Sequence, residues 1–305
     1  MGPGIVNNSL SLRLPLLLPL FSAVVYSVAA LFLKLAMSRG ANTWSITFFS
    51  NVAMGLVFLP MLFFARDSWA PEHLGWSLGA GALFFAGQIA TFRALAGGDV
   101  SIATPALASK VVFVALLSLT VPGSRPDPDL WLAVGLTMAG MVLLNSGPRT
   151  QHASRPLVTL GWALLAAAAF AAADILVQVG APRAGFTLFM PVMFGMVALV
   201  SVPTLLPHLP RGEAAQTKPG AWRWGAAGIV LLAIQATGFN GSIGFYGDAA
   251  GANVVYGSRG LWSVLLVAIV ARHLGVAEGT RDARTLFLRL AGSILILAAV
   301  IVVVV

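Results

Sequence analysis

The chain contains no cysteine, which excludes disulfides, thiol nucleophiles and zinc–thiolate centres. Charge is scarce too. Asp, Glu, Lys and Arg make up 9% of the 305 residues, against about 25% in soluble domains. The four histidines, His73, His152, His208 and His273, fall at or outside the ends of the apolar segments. No GxSxG, HExxH or phosphate-cradling glycine–lysine motif occurs. Hydrolysis within a bilayer and work driven by ATP therefore have no visible apparatus, and neither an enzyme nor a cofactor is expected. No run of five basic residues exists. The net charge of +8 is then explained by basic loops beside a membrane rather than by nucleic acid.

What is abundant is apolar sequence, 58% of all residues. About 20 apolar residues cross a ~30 Å hydrocarbon layer as a helix. Ten segments qualify: 15–36, 43–64, 73–96, 101–120, 129–146, 157–179, 185–206, 223–246, 251–271 and 285–305. The fold class expected is an all-α integral membrane protein with ten transmembrane helices. An even number places both termini on one side. The first segment, with Arg13 upstream and Ala29 downstream, could be read as a signal peptide, but its apolar run continues past residue 30.

The segments repeat. "GDVSIATPALASKVVFVALLSL" (98–119) lies over "GDAAGANVVYGSRGLWSVLLVA" (247–268) without a gap, so that Gly98 meets Gly247, Asp99 meets Asp248 and Lys110 meets Arg259. Pro60 meets Pro203 when 19–60 is laid on 162–203, and Gln88 and Gln235 recur in the third and eighth segments once small gaps are allowed. Two copies of five helices follow: 1–147, a linker at 148–156, and 157–305. An odd number of crossings per copy inverts one copy relative to the other, and such folds place their binding site near the membrane midplane, between the copies.

Lys110 lies nine residues into its segment, roughly 13 Å deep, and Arg259 has a similar depth. A cation at mid-membrane is costly unless paired or hydrated. One reading gives both bases to an anionic group of a solute. The other pairs them with a carboxylate. Asp174, in "AFAAADILVQ", is the one acid well inside a segment, and it is either a protonatable coupling residue or a fixed counter-ion. One acid cannot neutralise two cations, so a positive charge is left over. Gln88, Gln235, Asn240, Tyr246, Asn253 and Tyr256 are the further candidates for a cavity wall. Tyr256 stands three residues before Arg259 and shares its helix face. Small residues mark helix contacts: the alanines of 163–174, and Gly75 with Gly79 as a GxxxG pair. Pro105 is expected to kink the fourth helix ahead of Lys110.

With ten helices, two five-helix copies and Pro105 in an apolar fourth helix, the chain resembles the drug/metabolite transporter superfamily, in particular its EamA-type ten-helix members. The resemblance implies an inverted-repeat bundle around a central cavity, working by alternating access. In the phosphate-exchanging relatives, basic residues of the fourth and ninth helices hold the phosphate. Lys110 and Arg259 stand on those helices here. The implied activity is secondary transport of a small organic solute with a carboxylate or phosphate, in a cell membrane such as the bacterial inner membrane. The partners expected are an anionic or zwitterionic small molecule, membrane lipids and protons as coupling ion, with the chain a monomer or dimer. Two alternatives stand beside this. One is export of amino acids or of aromatic or cationic compounds, with the two bases structural. The other is a lipid-handling or scaffold protein without a solute pathway.

Overall fold

The computed structural model describes residues 14–65, 71–96, 100–124, 126–146, 156–210, 217–274 and 283–305. Among them the regular structure is helical throughout. The α-helices are α1 (Leu17–Ser38), α2 (Thr43–Phe58), α3 (Pro71–Ala96), α4 (Val100–Ala108), α5 (Lys110–Ser118) and α6 (Pro128–Leu144), then α7 (Pro156–Ala184), α8 (Phe186–Leu205), α9 (Ala221–Tyr246), α10 (Ala249–Gly257), α11 (Arg259–Leu274) and α12 (Ala283–Val304). Counting α4 with α5 and α10 with α11, these make ten crossings. Seven helices are long and apolar enough to span a membrane by themselves, and Ile102–Ser118 and Pro128–Leu144 are shorter apolar helices. This is a multi-pass integral membrane protein.

The two halves share one order of elements. In each, the second helix runs into a short 3-10 turn that contains proline, Leu59–Phe64 after α2 and Leu206–His208 after α8. The fourth crossing of each half is interrupted at a serine, Ser109 and Ser258. The sequence expectation placed the distortion at Pro105. The interruption falls four residues later, and it recurs in the second half without a proline, so proline is not its common cause. The backbone tightens instead. Ser109 N–H bonds the Ala106 carbonyl at 3.2 Å and Ser258 N–H bonds that of Val255 at 3.0 Å, contacts of the i to i−3 kind that narrow a helix locally. The Ser109 hydroxyl also donates to the Ala106 carbonyl, at 2.6 Å. Lys110 and Arg259 are the first residues beyond these points.

Helix pairing follows the repeat. α1 packs along α9 and α3 along α7, while α2 meets α8 and α6 meets α12. Exchanging each helix for its equivalent in the other half turns one pairing into the other. The duplicated Gly-Asp also has a local meaning in the second half. Gly247 ends α9 in the left-handed region, at φ 69°, where glycine has no Cβ penalty. The Asp248 carboxylate then caps α10 by accepting from Gly251 N–H at 2.8 Å. Gly98 and Asp99 lie outside the described residues, as do residues 148–155 of the expected linker at 148–156.

Close helix contact rests on small side chains. The alanines 163, 166, 167, 171 and 173 of α7 are all buried, which lets α3, α5 and α9 approach its backbone. The GxxxG reading of α3 needs correction. Gly75 faces open space, and Gly81 is the tight position, where a β-carbon would lie 2.7 Å from the Met193 carbonyl oxygen. Another close approach between the halves is at α6 and α12. There a β-carbon on Gly140 would stand 2.6 Å from Ile296 Cγ1 and 2.8 Å from the Gly292 carbonyl oxygen. Gly140→Leu is expected to cost about 1–3 kcal/mol or more by overpacking. Gly75→Leu should change nothing. Thermal unfolding in detergent checks both, and equal melting temperatures for the two variants would refute the close approach.

Candidate functional site

The middle of the bundle holds a cavity of about 430 Å³, within the roughly 300–1,000 Å³ usual for small-molecule sites. Both halves build it. Its charged wall residues are Lys110, Asp174 and Arg259, two cations and one carboxylate, so one positive charge is in excess. Aromatic rings are prominent in the remaining wall, with Phe84, Phe92, Phe170, Phe194, Phe239 and the two tyrosines Tyr26 and Tyr256, beside neutral polar residues such as Thr47, Thr91 and Gln88.

The two cations have different surroundings. Lys110 Nζ lies 2.7 Å from Asp174 Oδ2. The same oxygen accepts from Asn253 Nδ2 at 2.7 Å, and Asn253 Nδ2 also donates to the Ala249 carbonyl at 2.9 Å. Asp174 on α7 thus joins the start of α5 to α10. The ammonium of Lys110 also sits 5.1 Å from the Phe239 ring centre. Arg259 has no carboxylate within ion-pair distance among the described residues. Its guanidinium lies instead over two tyrosine rings, 4.5 Å from the centre of Tyr256 and 5.2 Å from that of Tyr26. Ring faces attract a cation through their quadrupole but do not cancel its charge.

The tyrosine box is itself braced. The Tyr256 hydroxyl donates to Gln235 Oε1 at 2.9 Å, and the Tyr256 ring packs on Phe239 with centroids 4.5 Å apart. Tyr26 meets Tyr256 edge to face at 5.9 Å. The main chain beneath the arginine is also held, because Ser27 Oγ donates to the Arg259 carbonyl at 2.9 Å. These contacts lock the orientation of the cation, which a site needs more than it needs extra charge.

Of the residues singled out from sequence, Lys110, Arg259, Tyr256, Gln88, Gln235, Asn240 and Asp174 line one cavity. Asn253 sits behind it as the second partner of Asp174. Tyr246 does not join them: it is the last residue of α9 and is 54% exposed. Gln88 is tied up in a reciprocal amide pair with Asn51, both bonds 2.9 Å long, and Asn51 also donates to Ser201 Oγ at 2.9 Å. Asn240 bonds back to the Ala236 carbonyl at 2.8 Å through Nδ2. Sequence reasoning missed Tyr26 and the five phenylalanines. Tyr26 had a usable signal, being one of only three tyrosines in the chain. Phenylalanine is too common in membrane helices to signal a cavity.

The bundle and its chamber define an all-helical, multi-pass integral membrane protein with a central cavity. Residues 13–146 are similar to the EamA-like transporter family. The fold match is wider. A crystal structure of a protein that shares 17% sequence identity superposes with a TM-score of 0.73, covering 96% of this chain and 98% of that chain. No curated protein matches the sequence.

Proposed function

We propose that the protein is a secondary transporter of a small organic acid, whose carboxylate or phosphate is held by Arg259 at the middle of the membrane. The single observation that carries this is the guanidinium in the wall of a cavity rich in aromatic rings, oriented by two tyrosines and without a carboxylate at ion-pair distance among the described residues. A buried cation without a counter-charge is expensive, and an acidic solute supplies what is missing. Lys110 already has Asp174, so it acts on the solute through the charge balance of the cavity. In this reading residues 1–147 and 157–305 are the two repeat halves, joined at 148–156. They rock about the cavity so that it opens to one side and then to the other. Asp174, placed between α5 and α10, is the candidate for coupling to protons. The bacterial inner membrane is the setting that suits such a carrier.

The aromatic wall also suits efflux of aromatic cations, and the excess positive charge argues against that reading. A screen of organic acids and amines by thermal unfolding of the purified chain separates the two. A ligand at one hundred times its Kd stabilises by about 2.7 kcal/mol. Acids should raise the melting temperature and amines should not. Uptake of the best acid into liposomes bearing the protein should then follow. Stabilisation by amines alone, or binding without any flux, would defeat the proposal.

A further inference from the structure

We infer that the cavity selects solutes by charge count, taking an apolar, preferably aromatic, acid with a single negative charge over the matching dianion and zwitterion, and that Asp174 sets this count. The inference rests on the acid site proposed above and narrows its solute class. Three features carry it.

The first is arithmetic. The wall carries Lys110, Arg259 and Asp174 as its charged groups, and the ion pair at 2.7 Å spends one cation on the one carboxylate. A single charge on the solute closes the balance. In a wall this apolar, charges are poorly screened, so a second negative charge on the solute finds no free cation. To use Lys110 it must displace Asp174, which would then lie buried and unpaired.

The second feature concerns zwitterions. An ammonium group entering the cavity has, among the described lining residues, only Asp174 as a carboxylate to meet. Asp174 Oδ2 already takes Lys110 and Asn253, so the ammonium would share one carboxylate with the Lys110 ammonium and suffer like-charge repulsion. A cation alone fares worse, since it faces the excess positive charge directly.

The third is the wall between the charged points. Phe84, Phe170, Phe194 and Phe239 line the cavity. Phe170 meets Phe84 edge to face at 5.4 Å and Phe84 meets Phe194 edge to face at 5.6 Å. Such a surface gains by excluding water with an apolar body.

Four probes with one phenyl body test the count: 3-phenylpropionate (monoanion), phenylsuccinate (dianion), phenylalanine (zwitterion) and phenethylammonium (cation). Their binding to the purified full-length protein is measured by thermal shift at pH 7.5, with affinities from titration. The parent should bind 3-phenylpropionate at least tenfold more tightly than the other three. Asp174→Asn leaves two unpaired cations, so phenylsuccinate should become the tightest ligand. Lys110→Met combined with Asp174→Asn removes one charge of each sign and restores a single excess charge. That double variant should again place 3-phenylpropionate first, which keeps the test decisive if Asp174→Asn does not fold. If the parent binds phenylsuccinate or phenylalanine as tightly as 3-phenylpropionate, the charge-count inference falls while the acid site stands. If none of the acids binds, the acid site falls with it. If the double variant prefers the dianion, Asp174 does not set the count.

Discussion

Arg259→Ala should abolish acid binding and transport while leaving a folded protein. Losing one partner of a buried, charge-assisted contact costs about 2–5 kcal/mol of binding. At 1.4 kcal/mol per tenfold change, affinity should fall by a factor of about thirty to several thousand. The fold should tolerate the change. What the side chain loses is its contact with two tyrosine faces, about 0.5–2 kcal/mol. The Ser27 bond beneath it goes to the main-chain carbonyl and is kept. Arg259→Lys gives a sharper reading. It preserves the charge, but an ammonium lacks the planar fork that stacks on a ring and meets a carboxylate with two parallel bonds. Intermediate affinity is therefore expected, with transport reduced more than folding. Thermal shift with an acid ligand and uptake into liposomes measure the two quantities on the same preparations. An alanine variant with parental affinity would show that the guanidinium is only a structural cation.

Asp174→Leu should be the most destabilising single change in the site. The carboxylate is buried, at 7% exposure, and satisfies both Lys110 and Asn253. Removing it strands the Lys110 ammonium among phenylalanines and frees an amide that joins α10 to α7. Breaking one side of a buried ion pair costs about 3–5 kcal/mol. Replacing both charges by apolar groups of similar volume is often neutral, so adding Lys110→Met should recover most of the loss. Denaturant unfolding of the single and double variants, read by tryptophan fluorescence, checks this. If the double variant is no more stable than Asp174→Leu alone, the damage does not come from the stranded lysine. Transport should be lost in the single variant even where it folds. The pair bridges the two halves, Lys110 from one and Asp174 from the other, and an unpaired ammonium would hold the excess charge at two rather than one.

How much of this was legible beforehand differs from residue to residue. The interruptions at Ser109 and Ser258 lie inside the aligned blocks, so the equivalence of Lys110 and Arg259 could be read from spacing. The cause of the interruption could not. Pro105 drew attention because its effect on a helix is known, whereas a serine that tightens a turn leaves no mark in composition. Gln88 and Gln235 recur, yet their duties diverge. Gln88 is locked with Asn51, and Gln235 braces Tyr256. Recurrence in a sequence says nothing of which hydrogen bonds each residue makes. Gly75 matched a packing motif but faces open space, while Gly81, outside the motif, meets the Met193 carbonyl. Only the rotation of α3 about its axis distinguishes the two, and a weakly amphipathic membrane helix does not announce that rotation. Tyr246 failed as a wall residue for a related reason. It ends its helix, where an aromatic ring faces outward as readily as inward.

The sequence by itself determined that this is a multi-pass helical membrane protein, with two cations and a single acid deep inside the apolar segments. Length, hydrophobicity and depth along a helix are one-dimensional quantities, and a linear text carries them fully. Only the tertiary structure decided which cation Asp174 neutralises. Lys110 and Arg259 are equivalent by repeat and by depth, and each is far from Asp174 along the chain. The choice depends on which helix faces turn toward one another when α7 packs between α3, α5 and α9. That packing is governed by alanines and glycines whose fit is a matter of surface shape. It gives the carboxylate to Lys110 and leaves Arg259 to two tyrosines, which makes the cavity a place for one more negative charge.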